Sequence, residues 1–456
     1  MQKKIALRVA TLAALLLAPG LKAQTLDQTI GGCGGVAPTR TIQATPSNYK
    51  SLLAGLQPGD RLLLAPGTYT QQLVLSGKNG QPNRCIVIEG PATGTPALFT
   101  GSDIYNTISL KNVSYLVFRN LTLDGLGKAG DGVKAEVGST YAHHITLDNL
   151  KLRNYFGGNL NRTGINTKSR AWNWVVRRVE IVGAGVGMYF GKADGTGEFV
   201  NSLIERNVIS ESRLYDIQIK HQLGRATTLG IPTNGTTIIR HNVFTKEKNA
   251  ATGTNARPNL LVGHWPKTGA GSNDIYQIYG NLFYLNPTEA LFQGEGNIAL
   301  HDNLFVQRSF ARTIRIQKHN DVPKRIDIFN NTIVASGEGI QITSASTAYP
   351  QRVYNNVVFA SIPLKGGVQS GNITGAYSAA AQYLNNPGGT LAAGTLDLFP
   401  RAGKLQGAAA PLSFLTGLLD ATEDFNGMSR LDTFRGAYSG DGVNPGWDLT
   451  LAIKQE

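Results

Sequence analysis

The stretch Leu116-Val117-Phe118-Arg119-Asn120-Leu121-Thr122-Leu123 decides the fold, because it comes back. A short apolar strand, a turn ending in Asn and a second short strand return as Ile145-Thr146-Leu147-Asp148-Asn149-Leu150-Lys151-Leu152. The form recurs around Arg178, where Arg stands for Asn, and at Asn207, so four slots are each 29 residues apart. It continues at Asn242, Asn281, Asn303, Asn331 and Asn356, with spacings from 22 to 39. Strands this short cannot bury a core alone. Stacked as parallel coils they bury one continuous core. An inward amide at each turn can donate to one neighbouring coil and accept from the other, and Asn tolerates turn geometry that β-branched residues resist. The expected fold is all-β: a right-handed, single-stranded parallel β-helix with three short strands per coil and an Asn ladder. Eight steps at about 4.8 Å would carry that ladder roughly 38 Å.

The third strand of each coil is clearest in Ile165-Asn166-Thr167-Lys168, Met188-Tyr189-Phe190-Gly191, Ile217-Gln218-Ile219-Lys220, Ile314-Arg315-Ile316-Gln317 and Ile340-Gln341-Ile342. With a period of two, Ile165, Thr167, Met188, Phe190, Ile217, Ile219, Ile314 and Ile316 face inward. The alternate residues make two outward rows. One is Asn166, Tyr189, Gln218 and Arg315; the other is Lys168, Gly191, Lys220 and Gln317. The coils at 259–264 and 289–295 are open by one residue of register, and a one-residue slip would reverse every side chain there.

Bulk properties agree with one elongated exported domain. The chain has 456 residues and no Pro-, Ser- or charge-rich linker, with 54 Gly, 19 Pro and 41% hydrophobic residues. Lys3, Lys4 and Arg8, the apolar run Ala10 to Ala18, and Leu21-Lys22-Ala23 read as a secretory signal over 1–23. The run is too short for a membrane span of roughly 20 residues. Residues 24–110 are expected to form an N-terminal cap and first coils, 111–365 the helix core, and 366–456 a closing segment. Formal charge is +13; residues 1–23 hold four bases and no acid, which leaves +9 for the rest. A basic exported chain suits a polyanion. Export and the lack of a nucleic-acid motif exclude nucleic acid and point to an acidic polysaccharide, met by a secreted or periplasmic monomer. The two cysteines, Cys33 and Cys85, are expected to form a disulfide in an oxidising compartment.

Pro58-Gly59-Asp60-Arg61-Leu62-Leu63-Leu64, Pro66-Gly67-Thr68-Tyr69 and Asn79 to Gly90 resemble the opening coils of exported β-helix proteins, among them chondroitinase B and the related alginate lyases of its polysaccharide lyase family. Asp424-Phe425-Asn426-Gly427 and Gly436-Ala437-Tyr438 resemble the closing segment of such proteins. The likeness spans roughly residues 40 to 365 as architecture. It implies a substrate groove on the third strand and a Lys as Brønsted base, a role that falls to Lys220. The family's catalytic Arg would stand near Gly263 and His264, where this chain has none. Arg240 has a tempting separation from Lys220 but precedes the Asn242 turn and is expected to face elsewhere. Calcium is the cofactor the family implies, yet its acids fall near Arg213 and Tyr215, which cannot replace them; the sequence names no cofactor.

Lyases remove the C5 proton of a uronate and expel the C4 oxygen, which needs a neutralised carboxylate and a base of lowered pKa. Lys220, with Lys168 two coils away and His221 beside it, is the first candidate base, and His264 and His221 are the others. Candidate sugar contacts are Lys168, Gln218, Arg257, Gln293, Glu295, Arg315, Gln317 and His319, with Trp265 and Tyr189 as stacking surfaces. Lys246, Lys248 and Arg257 fall on a long segment suited to a groove wall. The confident outward rows hold no pair of carboxyl groups, which disfavours a glycoside hydrolase. Two classes stay open: a lyase or C5-epimerase on an acidic glycan, and a non-catalytic binding or envelope protein.

Overall fold

A computed structural model describes Leu26, Ile30, Gly31, Cys33, residues 37–413 and residues 415–455. The expected export signal at 1–23 lies outside the described residues. The chain winds as a right-handed parallel β-helix with three strand faces. Face one stacks Arg40–Ala44, Asp60–Leu64, Ile86–Glu89, Val113–Arg119, Ala142–Asp148 and Ala171–Arg177, and continues through Ile275–Tyr279 to Val368–Ser370. Face two runs from Gly67–Tyr69 through Leu121–Asp124, Val208–Ser210 and Val243–Thr245 to Ile373–Gly375. Face three runs from Leu73–Ser76 through Thr163–Thr167, Val186–Phe190, Ile217–Ile219, Leu260–Val262, Phe292–Gly294 and Ile314–Ile316.

Alternation sends one side of every strand into a single apolar column. Ile145, Leu147, Trp174, Val176, Ile181, Ile217 and Ile219 are among its fully buried members. Phe244, Phe283 and Phe305 stack down its axis with ring centres 4.8 and 4.5 Å apart, a spacing set by the coil rise itself.

The Asn ladder is real but starts later than the 29-residue spacing predicts. Asn207, Asn242, Asn281, Asn303, Asn331 and Asn356 are buried, and each amide donates to the next Oδ1 at 2.8 to 3.0 Å. Asn372, which the sequence pattern missed, closes the run at 3.0 Å. Asn120, Asn149 and Arg178 do not belong to it. They occupy the preceding turn position, with φ of 57°, 52° and 52°, shared by Arg206, His241 and Asp302. The register shows the slip: Arg177 pairs with Glu205, so Arg178 aligns with Arg206 and Val179 stands in the ladder column. Asn149 and Asn120 instead form their own half-buried pair at 2.8 Å.

Parts of two of the three outer surfaces are covered. Face two turns Val243, Leu282, Tyr284, Leu304, Val306 and Phe359 outward, and these pack against Leu384, Leu398, Phe399, Phe425, Tyr438 and Leu449 of the closing segment. On face one, Leu26 and Ile30 lie against Val175, Leu203 and Ile238, and Asp420 reaches Arg240 and Tyr279 at 3.0 and 2.9 Å. Arg240 therefore faces away from Lys220, as expected. Cys33 and Cys85 are disulfide-bonded, tying the N-terminal segment to the Ile86–Glu89 coil. Face three presents a polar outer surface along the coils 163–317.

Candidate functional site

Strand pairing settles the register of face three. Asn166, Tyr189, Gln218, Leu261, Gln293, Arg315 and Gln341 align in one outward row. Leu260, Val262 and Phe292 point into the core, which resolves both open coils. The second row holds Lys168, Gly191, Lys220, Gly263, Glu295 and Gln317. At Gly263 the coils approach closely: a Cβ there would lie 2.3 Å from the backbone N of His221. No larger residue fits without moving the coil, which explains why no Arg occupies that slot.

A cation comes within electrostatic reach of Lys220 by another route. Arg257 comes from the excursion 246–259 between faces two and three. Its guanidinium lies 6.0 Å from the centre of the Tyr215 ring and donates to the Thr254 and Ala256 carbonyls at 2.8 Å. Lys220 is half-buried at the floor between the walls. Burial pulls its ammonium below the ordinary lysine range; Glu295 opposes this and Arg257 adds to it. Arg257 and Glu295 are thus both within electrostatic reach of Lys220. Burial lowers His221 as well, helped by Lys220 and His319. Tyr215 is pushed up by burial, against the pull of Arg257. Tyr215 was named in the sequence only as a poor calcium ligand. Its position one residue before the buried Asp216 holds no motif that would mark it.

Two coils toward the N-terminus, the Lys168 ammonium sits 4.7 Å over the Tyr189 ring. Asn166 is not free: it is buried and donates to Asp131 at 2.7 Å. Toward the C-terminus, Arg315 donates to Gln317 at 2.6 Å and both remain half-buried beside Gln293. Gln218 is 5% exposed, enough only for its amide edge to meet a ligand.

Several expected site residues have other work. His264 is buried, with its ring nitrogens against the Trp265 and Val322 carbonyls, the latter at 3.0 Å. Both ring nitrogens are engaged there, fastening the wall to the coil. Trp265 is fully buried and stacks on Tyr276 at 4.1 Å, so it offers no sugar platform. Glu295 is buried and accepts backbone N–H groups from His319, Asn320 and Asp321 at 2.9 to 3.2 Å. It anchors the 319–321 backbone, next to exposed His319. Lys246, expected on an open wall, is fully buried.

The acids that calcium binding would require do not assemble. Arg213 lies 4.5 Å over Phe156, Tyr215 faces Arg257, and Glu295 accepts backbone amides. Among the described residues no three metal-ligating side chains cluster. The donor set does not fit a calcium ion, and no step is derived through one.

No family model matches the chain, and no curated protein does. Among solved structures, it is similar to pectate lyase Pel9A at 15% identity, covering 92% of this chain and 98% of that one, with a TM-score of 0.48. A GH136 lacto-N-biosidase from Eubacterium ramulus matches at 14% identity over 74% and 68% of the two chains, TM-score 0.48. The PL6 family alginate lyase AlyGC matches at 15% identity with a TM-score of 0.41; the chain covers 55% of its length. The fold assignment rests on the strand register above, and the chemistry on the groove of face three.

Proposed function

We propose that the protein is a polysaccharide lyase that cleaves an acidic, uronate-containing polysaccharide by β-elimination. The observation that carries this reading is Lys220: an outward, half-buried amine on face three, its pKa lowered by burial, with the Arg257 cation, which faces Tyr215, within electrostatic reach. In its neutral form Lys220 takes the C5 proton. Arg257 binds the neighbouring carboxylate and spreads the charge that develops as the proton leaves, which a guanidinium does with paired N–H donors. Tyr215, kept protonated by burial, donates to the departing C4 oxygen. Lys168, Tyr189, Gln218, Gln293, Arg315, Gln317 and His319 extend the groove along the coil axis and hold the chain. Export, read from residues 1–23 and consistent with the disulfide, places such an enzyme with extracellular or periplasmic glycan. A net charge of +9 outside the signal favours a polyanionic substrate.

A panel of polyuronates, followed by absorbance of the unsaturated product with and without calcium, tests the proposal. Product from wild type and none from Lys220→Arg is the expected result. Exchange of the C5 proton for deuterium without chain cleavage would make the protein a C5-epimerase. Saturable binding with neither product nor exchange would leave a glycan-binding β-helix.

A further inference from the structure

Beneath the wall that carries Arg257 lies a polar network that coil stacking does not require. Lys246 follows the face-two strand Val243–Thr245 and is fully buried, as are Asp216, Asn259 and Asn286. The Lys246 ammonium donates to the Arg257 carbonyl at 2.6 Å. Asn286 donates to the same carbonyl at 2.9 Å and to Asn259 Oδ1 at 3.1 Å. Asn259 donates to Asp216 Oδ2 at 2.9 Å. The ring closes electrostatically, since Asp216 is the strongest attraction acting on Lys246. Burial pushes Asp216 up and Lys246 down, each opposed by the other.

Such a network is costly. An ammonium and a carboxylate taken out of water recover that loss only with near-complete hydrogen bonding, and Asp216 Oδ1 still lacks a partner. The positions in register with Asp216 on other coils are met by Gly187, Leu291 and Thr313, so the fold itself accepts uncharged residues there. What the charges hold is specific. Two of the network's donors converge on the backbone of Arg257, at the point where the excursion rejoins the strand Leu260–Val262. Its carboxylate belongs to the residue beside Tyr215.

We propose that Lys246 is a positioning residue for Arg257. Its buried ammonium, joined to Asp216 through Asn286 and Asn259, clamps the Arg257 carbonyl so that the guanidinium is presented over Tyr215, within electrostatic reach of Lys220. The functional consequence rests on the proposed lyase reading, while the clamp itself does not.

Lys246→Met alone would leave Asp216 buried without its cation, so the test uses Lys246→Met together with Asp216→Asn, a neutral pair of similar size. Hydrogen exchange is measured on the whole protein without substrate. Amides of 250–257 should exchange about tenfold faster or more in the double variant, with ladder amides unchanged, as expected for loss of a charge-assisted hydrogen bond. Exposed Lys248→Met is the control and should leave that exchange unaltered. On a polyuronate that wild type cleaves, kcat/KM should fall about tenfold or more, and this loss should disappear when Arg257 is already Ala. Unchanged loop exchange would overturn the clamp whether or not a substrate is found. An undiminished loss in the Arg257→Ala background would overturn its action through Arg257. Failure of every polyuronate would count against the lyase reading alone, leaving the exchange result to decide the clamp.

Discussion

Replacing Asn281 by Ala tests the register on which the architecture rests. The Asn281 amide donates to Asn303 Oδ1, Ile239 O and Tyr279 O at 2.9 to 3.0 Å. Its Oδ1 accepts both the backbone N–H and the side-chain amide of Asn242 at 2.9 Å. Ala removes all five bonds inside a column that water does not enter. Asn242 N–H is left bare, and the Asn242 amide keeps only Ile204 O at 3.0 Å. At about 1–3 kcal/mol for each buried group left unpaired, the loss comes to about 3–4 kcal/mol. Asn120 is half-buried and bonds only Asn149 through its side chain, so water replaces what Ala removes. Its cost should stay near about 1 kcal/mol, mostly from a left-handed backbone that Ala disfavours. Urea unfolding measures both, as a shift in midpoint at unchanged slope. Equal losses at the two positions would refute a ladder that begins at Asn207.

Three further outcomes are expected. Activity on a cleaved polyuronate should rise with pH through a Lys220 midpoint below the ordinary 10.5, since only the neutral amine is a base; Glu295→Gln should move that limb lower still, and Lys220→Arg should abolish turnover. A pH profile insensitive to both changes would remove Lys220 from the mechanism. Thiol titration of denatured, unreduced protein should find no free thiol, and reduction should destabilise by up to about 4 kcal/mol for a loop of 52 residues. His143 and His144 are held at about 4, chiefly by burial, against an ordinary 6.5. The unfolded chain therefore takes up these protons first, and stability present above pH 6.5 is lost as pH falls toward 4. His143→Phe should flatten that fall in urea midpoint, and parallel curves for variant and parent would exclude the pair as its source.

Sequence periodicity alone determined the coil and the faces. A period of two assigns inside and outside wherever apolar residues alternate, so the outward positions of Tyr189, Gln218, Lys220 and Arg315 were legible from Ile217-Gln218-Ile219-Lys220 and its counterparts. The ladder was legible as a recurrence but not in its register. Asn is equally suited to the left-handed turn position at Asn120 and to the inward column at Asn281, and only the pairing of Arg177 with Glu205 separates the two. The tertiary structure also decided which polar residues are available. A polar residue's type does not reveal whether backbone groups from a distant turn will engage it, as the 319–321 amides engage Glu295 and two carbonyls engage His264. Nor does local sequence show that an excursion folds back. Arg257 and Tyr215 are 42 positions apart, and Lys246 reads as a solvent-facing loop lysine until the coil above covers it. Periodicity is a property of neighbours along the chain; the groove's chemistry is set by contacts between coils, where register, burial and charge are fixed together.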